Sequence, residues 1–143
     1  MISRILVALD HTTRAPGVLR AATEIAEHFD ASLILFRAIA IDQPFPPAAS
    51  TAAHRDPLPA YLKMEALNEL DELAKGNRRA TLTPPIISVG PPAKTIVEAA
   101  ARSQADLIVL GSHGLHGLDY LFGTTTGSIA TRAHCSVFVV HQG

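Results

Sequence analysis

The feature that most constrains the fold is an alternation of two patterns along the chain. Short, largely apolar runs recur at Ile5–Leu9, Ser32–Ile39, Ile86–Val89, Leu107–Leu110 and Val137–Val140. Runs of this kind suit strands covered on both faces, as in a parallel sheet. Between them, apolar residues return every three or four positions. Val18, Leu19, Ala22, Ile25, Ala26 and Phe29 form one such stripe, and Leu62, Ala66, Leu70, Leu73 and Ala74 a second. Ala93, Ile96, Val97 and Ala100 form a third, and Ile129 with Ala133 marks a fourth helix that begins near Thr124. Each stripe is the inward face of a helix. Pro16 falls where a first helical turn tolerates it, and Gly76 is placed to end the second helix.

Strands alternating with helices define an α/β chain with helices on both faces of a parallel sheet. The expectation is one three-layer, doubly wound domain over residues 1–143, with five parallel strands and four helices. If the first and fourth strands are neighbours, the strand order is 3-2-1-4-5. Pro84 and Pro85 cannot donate ladder hydrogen bonds, so the third strand belongs at a sheet edge. Residues 42–60 hold five prolines and no clear period, and read as a long loop.

Composition narrows the function classes. A chain of 143 residues can bury roughly 70% of its unfolded surface, enough for a core without staples. With 48% hydrophobic and 17% charged residues it is not a disordered chain. A net charge of −1 gives nucleic-acid binding no footing. The single cysteine, Cys135, rules out an intrachain disulfide and favours a reducing compartment. The first apolar run meets Asp10 too soon for a signal-peptide core, and no stretch approaches the ~20 apolar residues of a membrane span. The chain therefore reads as cytoplasmic, with neither nucleic acid nor membrane as partner.

In doubly wound sheets, ligands bind beyond the carboxyl ends of the strands, where strand order reverses. Two loops qualify, one starting at Asp10 and the other at Gly111. The second reads Gly111-Ser-His-Gly114-Leu-His-Gly117-Leu-Asp-Tyr-Leu-Phe-Gly123-Thr124. Glycines after a buried strand let backbone amides approach a ligand. The amides of the following helix start are unpaired and lie at its positive end, and a hydroxyl from Thr124 or Thr125 there can cap the helix or bind phosphate. The segment is neither a P-loop, lacking Gly-Lys-Ser/Thr, nor a dinucleotide fingerprint, which follows the first strand. Taken alone, the glycines equally suit tight turns and a helix cap.

Four segments together resemble the universal stress protein family, and the resemblance covers nearly the whole chain. They are Ile5-Leu-Val-Ala-Leu-Asp10, Gly90-Pro-Pro-Ala-Lys-Thr-Ile96, Ala105-Asp-Leu-Ile-Val-Leu-Gly-Ser-His-Gly114 and Ser136-Val-Phe-Val-Val140. The resemblance implies a nucleotide-binding protein of stress response or signalling, with ATP, alone or with Mg2+, as ligand. By position it implies Ala8, Asp10 and Ala38 around the adenosine, and Gly111 and Gly114 along the ribose and phosphates. Gly123, Thr124 and Thr125 would lie at the phosphate end. Asp10 has an alternative role as cap of the first helix.

Two departures mark the loop. ATP-binding relatives show nine residues before the third glycine, whereas eight separate Gly114 from Gly123. A nine-residue register ending at Gly127-Ser128 would move the motif away from the strand end. The loop also lacks any basic residue from Gly111 to Ala130 and contains Asp119. Phosphates would then rely on backbone amides and a helix end that contributes about 0.3–2 kcal/mol. A dimeric interaction module without nucleotide, and a weak ATP hydrolase, stay as alternatives. No catalytic residue is identified, because no general base or cluster of metal-binding acids is apparent.

His11, His113 and His116 lack the further ligands of a structural zinc site, so no metal site is expected. Cys135 reads as a packed thiol. A receiver domain would need clustered acids after the first strand and a lysine after the fifth. Only Asp10 stands at the former position, and no lysine follows Lys94. Val137–Val140 is uncharged and would form a sheet edge, which invites pairing with another chain. The family resemblance implies homodimers through this strand.

Overall fold

The computed structural model describes residues 1–39, 60–77, 79–112 and 122–141, with the backbone alone for 122–124. Five strands and four helices alternate: β1 Arg4–Ala8, α1 Ala15–Phe29, β2 Ser32–Ile39, α2 Ala60–Lys75, β3 Thr81–Val89, α3 Pro92–Arg102, β4 Leu107–Gly111, α4 Phe122–Arg132 and β5 Ser136–Val140. The sheet is parallel in the order β3-β2-β1-β4-β5. This is the doubly wound architecture expected from the alternation.

Side chains of each strand divide between two cores, because a strand alternates its faces. Ile5, Val7, Leu33, Leu35 and Val109 pack beneath α1 and α2. Leu6, Ile34, Phe36, Ile108 and Leu110 pack beneath α3 and α4. Full burial of aliphatic side chains such as Ile5 and Ile108 stabilises the fold by about 1.5–3 kcal/mol each. Helix α1 contributes Val18, Leu19, Ala22 and Ala26, and Pro16 occupies its first turn. Phe29, expected in the same stripe, is 47% exposed. It is the last residue of α1, beyond the final inward position at Ala26. Gly90, with φ of +139°, turns β3 into α3 in a backbone conformation that suits glycine.

Strand β3 lies at the sheet edge, as the prolines require, but it starts at Thr81 rather than Ile86. A register shift between Ile34 and Phe36 of β2 accommodates Pro84 and Pro85 within it. Helix α4 begins at Phe122, slightly before Thr124. Its buried anchor is Ile129. The proline-rich loop, apart from Ala60, lies outside the described residues.

Candidate functional site

The strand order reverses between β1 and β4, which pair directly through Ile5–Leu107, Leu6–Ile108 and Val7–Val109. Two residues beyond the last pair, Leu9 comes level with Gly111. The Asp10 loop and the end of β4 therefore leave the sheet side by side, where a crevice ligand of such a sheet binds.

Of the predicted residues, all but Gly114 lie among the described residues. Ala8 ends β1 and Ala38 lies near the end of β2, both half-buried against the α3–α4 core. Asp10 is half-buried, and its Oδ1 accepts hydrogen bonds from Thr12 N at 2.9 Å and Thr12 Oγ1 at 2.6 Å. The cap position of α1 is Arg14, which makes no side-chain cap bond, so Asp10 shapes the loop without capping the helix. Gly111 is the last residue of β4. Gly123, Thr124 and Thr125 fall in the first turn of α4, after its cap position, so neither threonine is the capping residue. Gly127 lies inside α4, away from the strand end. Gly114, like Asp119, His113 and His116, lies outside the described residues.

Gly111 has a packing reason of its own. A Cβ built there would stand 3.0 Å from Val18 Cγ2 on α1. The space that glycine leaves is thus taken up by the helix layer. Ser112 shows the opposite situation. Its backbone N–H donates to Val140 O at 2.9 Å, while its Oγ is buried with no hydrogen-bond partner among the described residues. Leaving a buried polar group unsatisfied costs about 1–3 kcal/mol, so this hydroxyl fits a site that a ligand completes.

Arg37 is the other residue that pattern reading did not single out. It interrupts the apolar run of β2 and is only 6% exposed. Its Nε donates to Leu9 O and its Nη2 to Asp10 O, both at 3.1 Å, and Nη1 pairs with Glu69 of α2. A charge inside a central strand was the available signal, because buried arginines are paired. A cleft of about 890 Å³ opens beside it, between the β1–α1 loop and α2, with Tyr61 and Met64 among its walls. Asp10, Glu65, Glu69 and Glu72 also line this cleft. That many carboxylates disfavour phosphate there. Among the described residues, the cleft shares only Asp10 with the predicted site.

At the amino end of the sheet, Asp106 Oδ2 accepts hydrogen bonds from Ser3 N at 2.8 Å and Arg4 N at 2.9 Å. These two N–H groups hold its carboxyl below the ordinary carboxylate range. Burial pushes the Cys135 thiol up, with the Asp106 charge adding to the effect. That thiol is protonated and packed, not an activated nucleophile. Among the described residues, no group of three His, Cys, Asp or Glu side chains converges as a metal site. Nor, among them, is any helix long and apolar enough to cross a membrane.

Parallel sheet order, two-sided helix layers and a reversal of strand order between β1 and β4 define a doubly wound α/β protein. The chain belongs to the universal stress protein family, whose profile it matches over residues 1–141. It is 32% identical to Universal stress protein A homolog 2 of Coxiella burnetii, a match covering 95% of this chain and 91% of that protein. With homolog 1 of the same organism the identity is 31%, over 95% and 94% of the two chains. Among solved structures, the universal stress protein UspA from Lactobacillus plantarum superposes with a TM-score of 0.73 at 25% identity, covering 97% of each chain. A universal stress protein in complex with cAMP superposes at 0.69 with 24% identity, covering 98% of this chain and 97% of the other. One from Archaeoglobus fulgidus in complex with dAMP superposes at 0.62 with 21% identity, covering 97% and 98%. The last two share the fold with this chain.

Proposed function

We propose that this protein binds an adenine nucleotide, with ATP as the ligand, at the β1–β4 switch point, and acts as a dimer in stress response or signalling. The observation that carries this reading is the buried Oγ of Ser112, unpartnered among the described residues, at the reversal of strand order next to the Asp10 loop. Structural neighbours crystallised with cAMP and dAMP support the same ligand class. Ala8, Asp10 and Ala38 would surround the adenosine, and Gly111 and Gly114 would follow the ribose and phosphates. Gly123, Thr124 and Thr125 would meet the phosphate end, with the free amides of the first turn of α4. Mg2+, where it takes part, would be held chiefly by phosphate oxygens and water, as is usual for this ion. Dimerisation would use the β5 edge.

One observation favours a second reading, a dimeric interaction module without nucleotide. The room that Gly111 leaves is filled by Val18, so that glycine does not by itself argue for a ligand.

A titration separates the two. The purified protein is denatured and its supernatant analysed for retained nucleotide, and the emptied protein is then titrated calorimetrically with ATP, with and without Mg2+. Saturable binding of one nucleotide per chain is expected. Ser112→Ala should weaken it about three- to tenfold, the loss of one ordinary hydrogen bond. Neither retained nucleotide nor binding heat would favour the interaction module. A Ser112→Ala protein that binds like the parent would move the ligand elsewhere.

A further inference from the structure

We propose that Arg37 is the positioning residue of the nucleotide loop and that Glu69 of α2 holds it in place. The inference rests on the nucleotide reading only for its effect on affinity. Its geometric part stands on the hydrogen bonds alone.

Sheet pairing fixes the backbone of β1 as far as Leu9, whose N–H donates to Phe36 O at 2.9 Å. From Asp10 onward the chain leaves the ladder. At that step Arg37 takes over, gripping the consecutive carbonyls of Leu9 and Asp10 with two arms of one rigid fork. The third arm meets the Glu69 carboxylate, which neutralises a guanidinium whose side chain is only 8% exposed. Asp10 is consequently held from two directions. Arg37 fixes its main chain, and Thr12 N–H and Oγ1–H fix its carboxylate. The planar fork suits this double grip, and a lysine ammonium on a flexible stem does not reproduce it. Arg37 itself lies on the α1–α2 side of β2, whereas Ala8 and Ala38 face the other core. It therefore acts through the loop and not by touching the ligand.

The Thr12 amide proton reports on the arrangement, because it is bonded to Asp10 Oδ1. Amide exchange is followed by NMR on the full chain, with the Asp106 amide, bonded to Arg4 O at the far end of the sheet, as control. In Arg37→Met, Thr12 protection should fall at least tenfold while Asp106 stays within twofold, and ATP affinity should fall about tenfold. Arg37→Lys should recover part of both. Glu69→Ala, a change at a half-exposed side chain, should lower Thr12 protection about threefold, and it decides the matter if Arg37→Met does not fold. Unchanged Thr12 protection in a folded Arg37→Met or Glu69→Ala protein overturns the proposal. So does an equal loss at Thr12 and Asp106, which would mean general destabilisation. If the parent binds no ATP, the reading of the preceding section falls, and Thr12 exchange alone decides for or against Arg37.

Discussion

Gly111 and Ser112 are adjacent at the end of β4, yet different forces select them. Gly111 answers to the helix layer. Val18 is β-branched and sits inside α1, where one rotamer dominates, so its Cγ2 cannot readily turn away from an added Cβ at 3.0 Å. Gly111→Ala should therefore destabilise the protein by about 1–3 kcal/mol, as overpacking does. In urea denaturation this appears as a lower midpoint at unchanged slope. Val18→Ala made in the Gly111→Ala background should restore part of the loss, although Val18→Ala alone destabilises. Simple additivity of the two changes would show that the clash is not the cause. Among the described residues, the Ser112 hydroxyl has no hydrogen-bond partner, and under the proposed function its value comes from the ligand that completes its hydrogen bond.

Between elements, the join of β1 and β4 carries a charge that makes stability depend on pH. Asp106 ties the start of β4 to the entry of β1 through Ser3 N–H and Arg4 N–H, and its folded pKa lies below the ordinary value of 3.8. In acid the unfolded chain then binds the proton more readily than the folded one. The contribution is full above the ordinary carboxylate pKa and is lost as pH falls through the lowered folded value. Asp106→Asn should melt below the parent at pH 7, with the gap closing as pH falls from about 5 through the lowered folded pKa. A gap that stays constant over that range would assign the effect to shape and not to charge. The pattern of elements itself was legible because its causes are local. Ser32–Ile39 reads as a strand from its apolar run, and the stripe from Val18 to Ala26 reads as the buried face of α1. What did not read through depended on distant partners. Thr81–Pro85 joins the sheet through a register shift that sets Pro84 and Pro85 together opposite Leu35. The Thr124 hydroxyl suggested a cap, but α4 already starts at Phe122. The grip of Arg37 on Leu9, Asp10 and Glu69 spans 28, 27 and 32 residues, and no local period announces it.

The finished sheet has two edges of unlike character. On β3 the prolines remove two donors, so that edge is a poor template for another strand. On β5 no proline intervenes between Ser136 and Val140, and Phe138 is 45% exposed. The proposed dimer belongs at β5 for this reason. Light scattering at micromolar concentration should give twice the chain mass for the parent and the single-chain mass for Phe138→Lys, with unchanged circular dichroism in both. A monomeric parent defeats the β5 pairing. The contact between Gly111 and Val18 bears on descent as well as on stability. Under the proposed function, a lineage from this chain that ceased to need its ligand would be free to lose the Ser112 hydroxyl but would retain Gly111 for as long as Val18 kept its place. Across relatives with the same layer spacing, the glycine would then trace ancestry, and the serine after it would be the better guide to which of them still carry cargo.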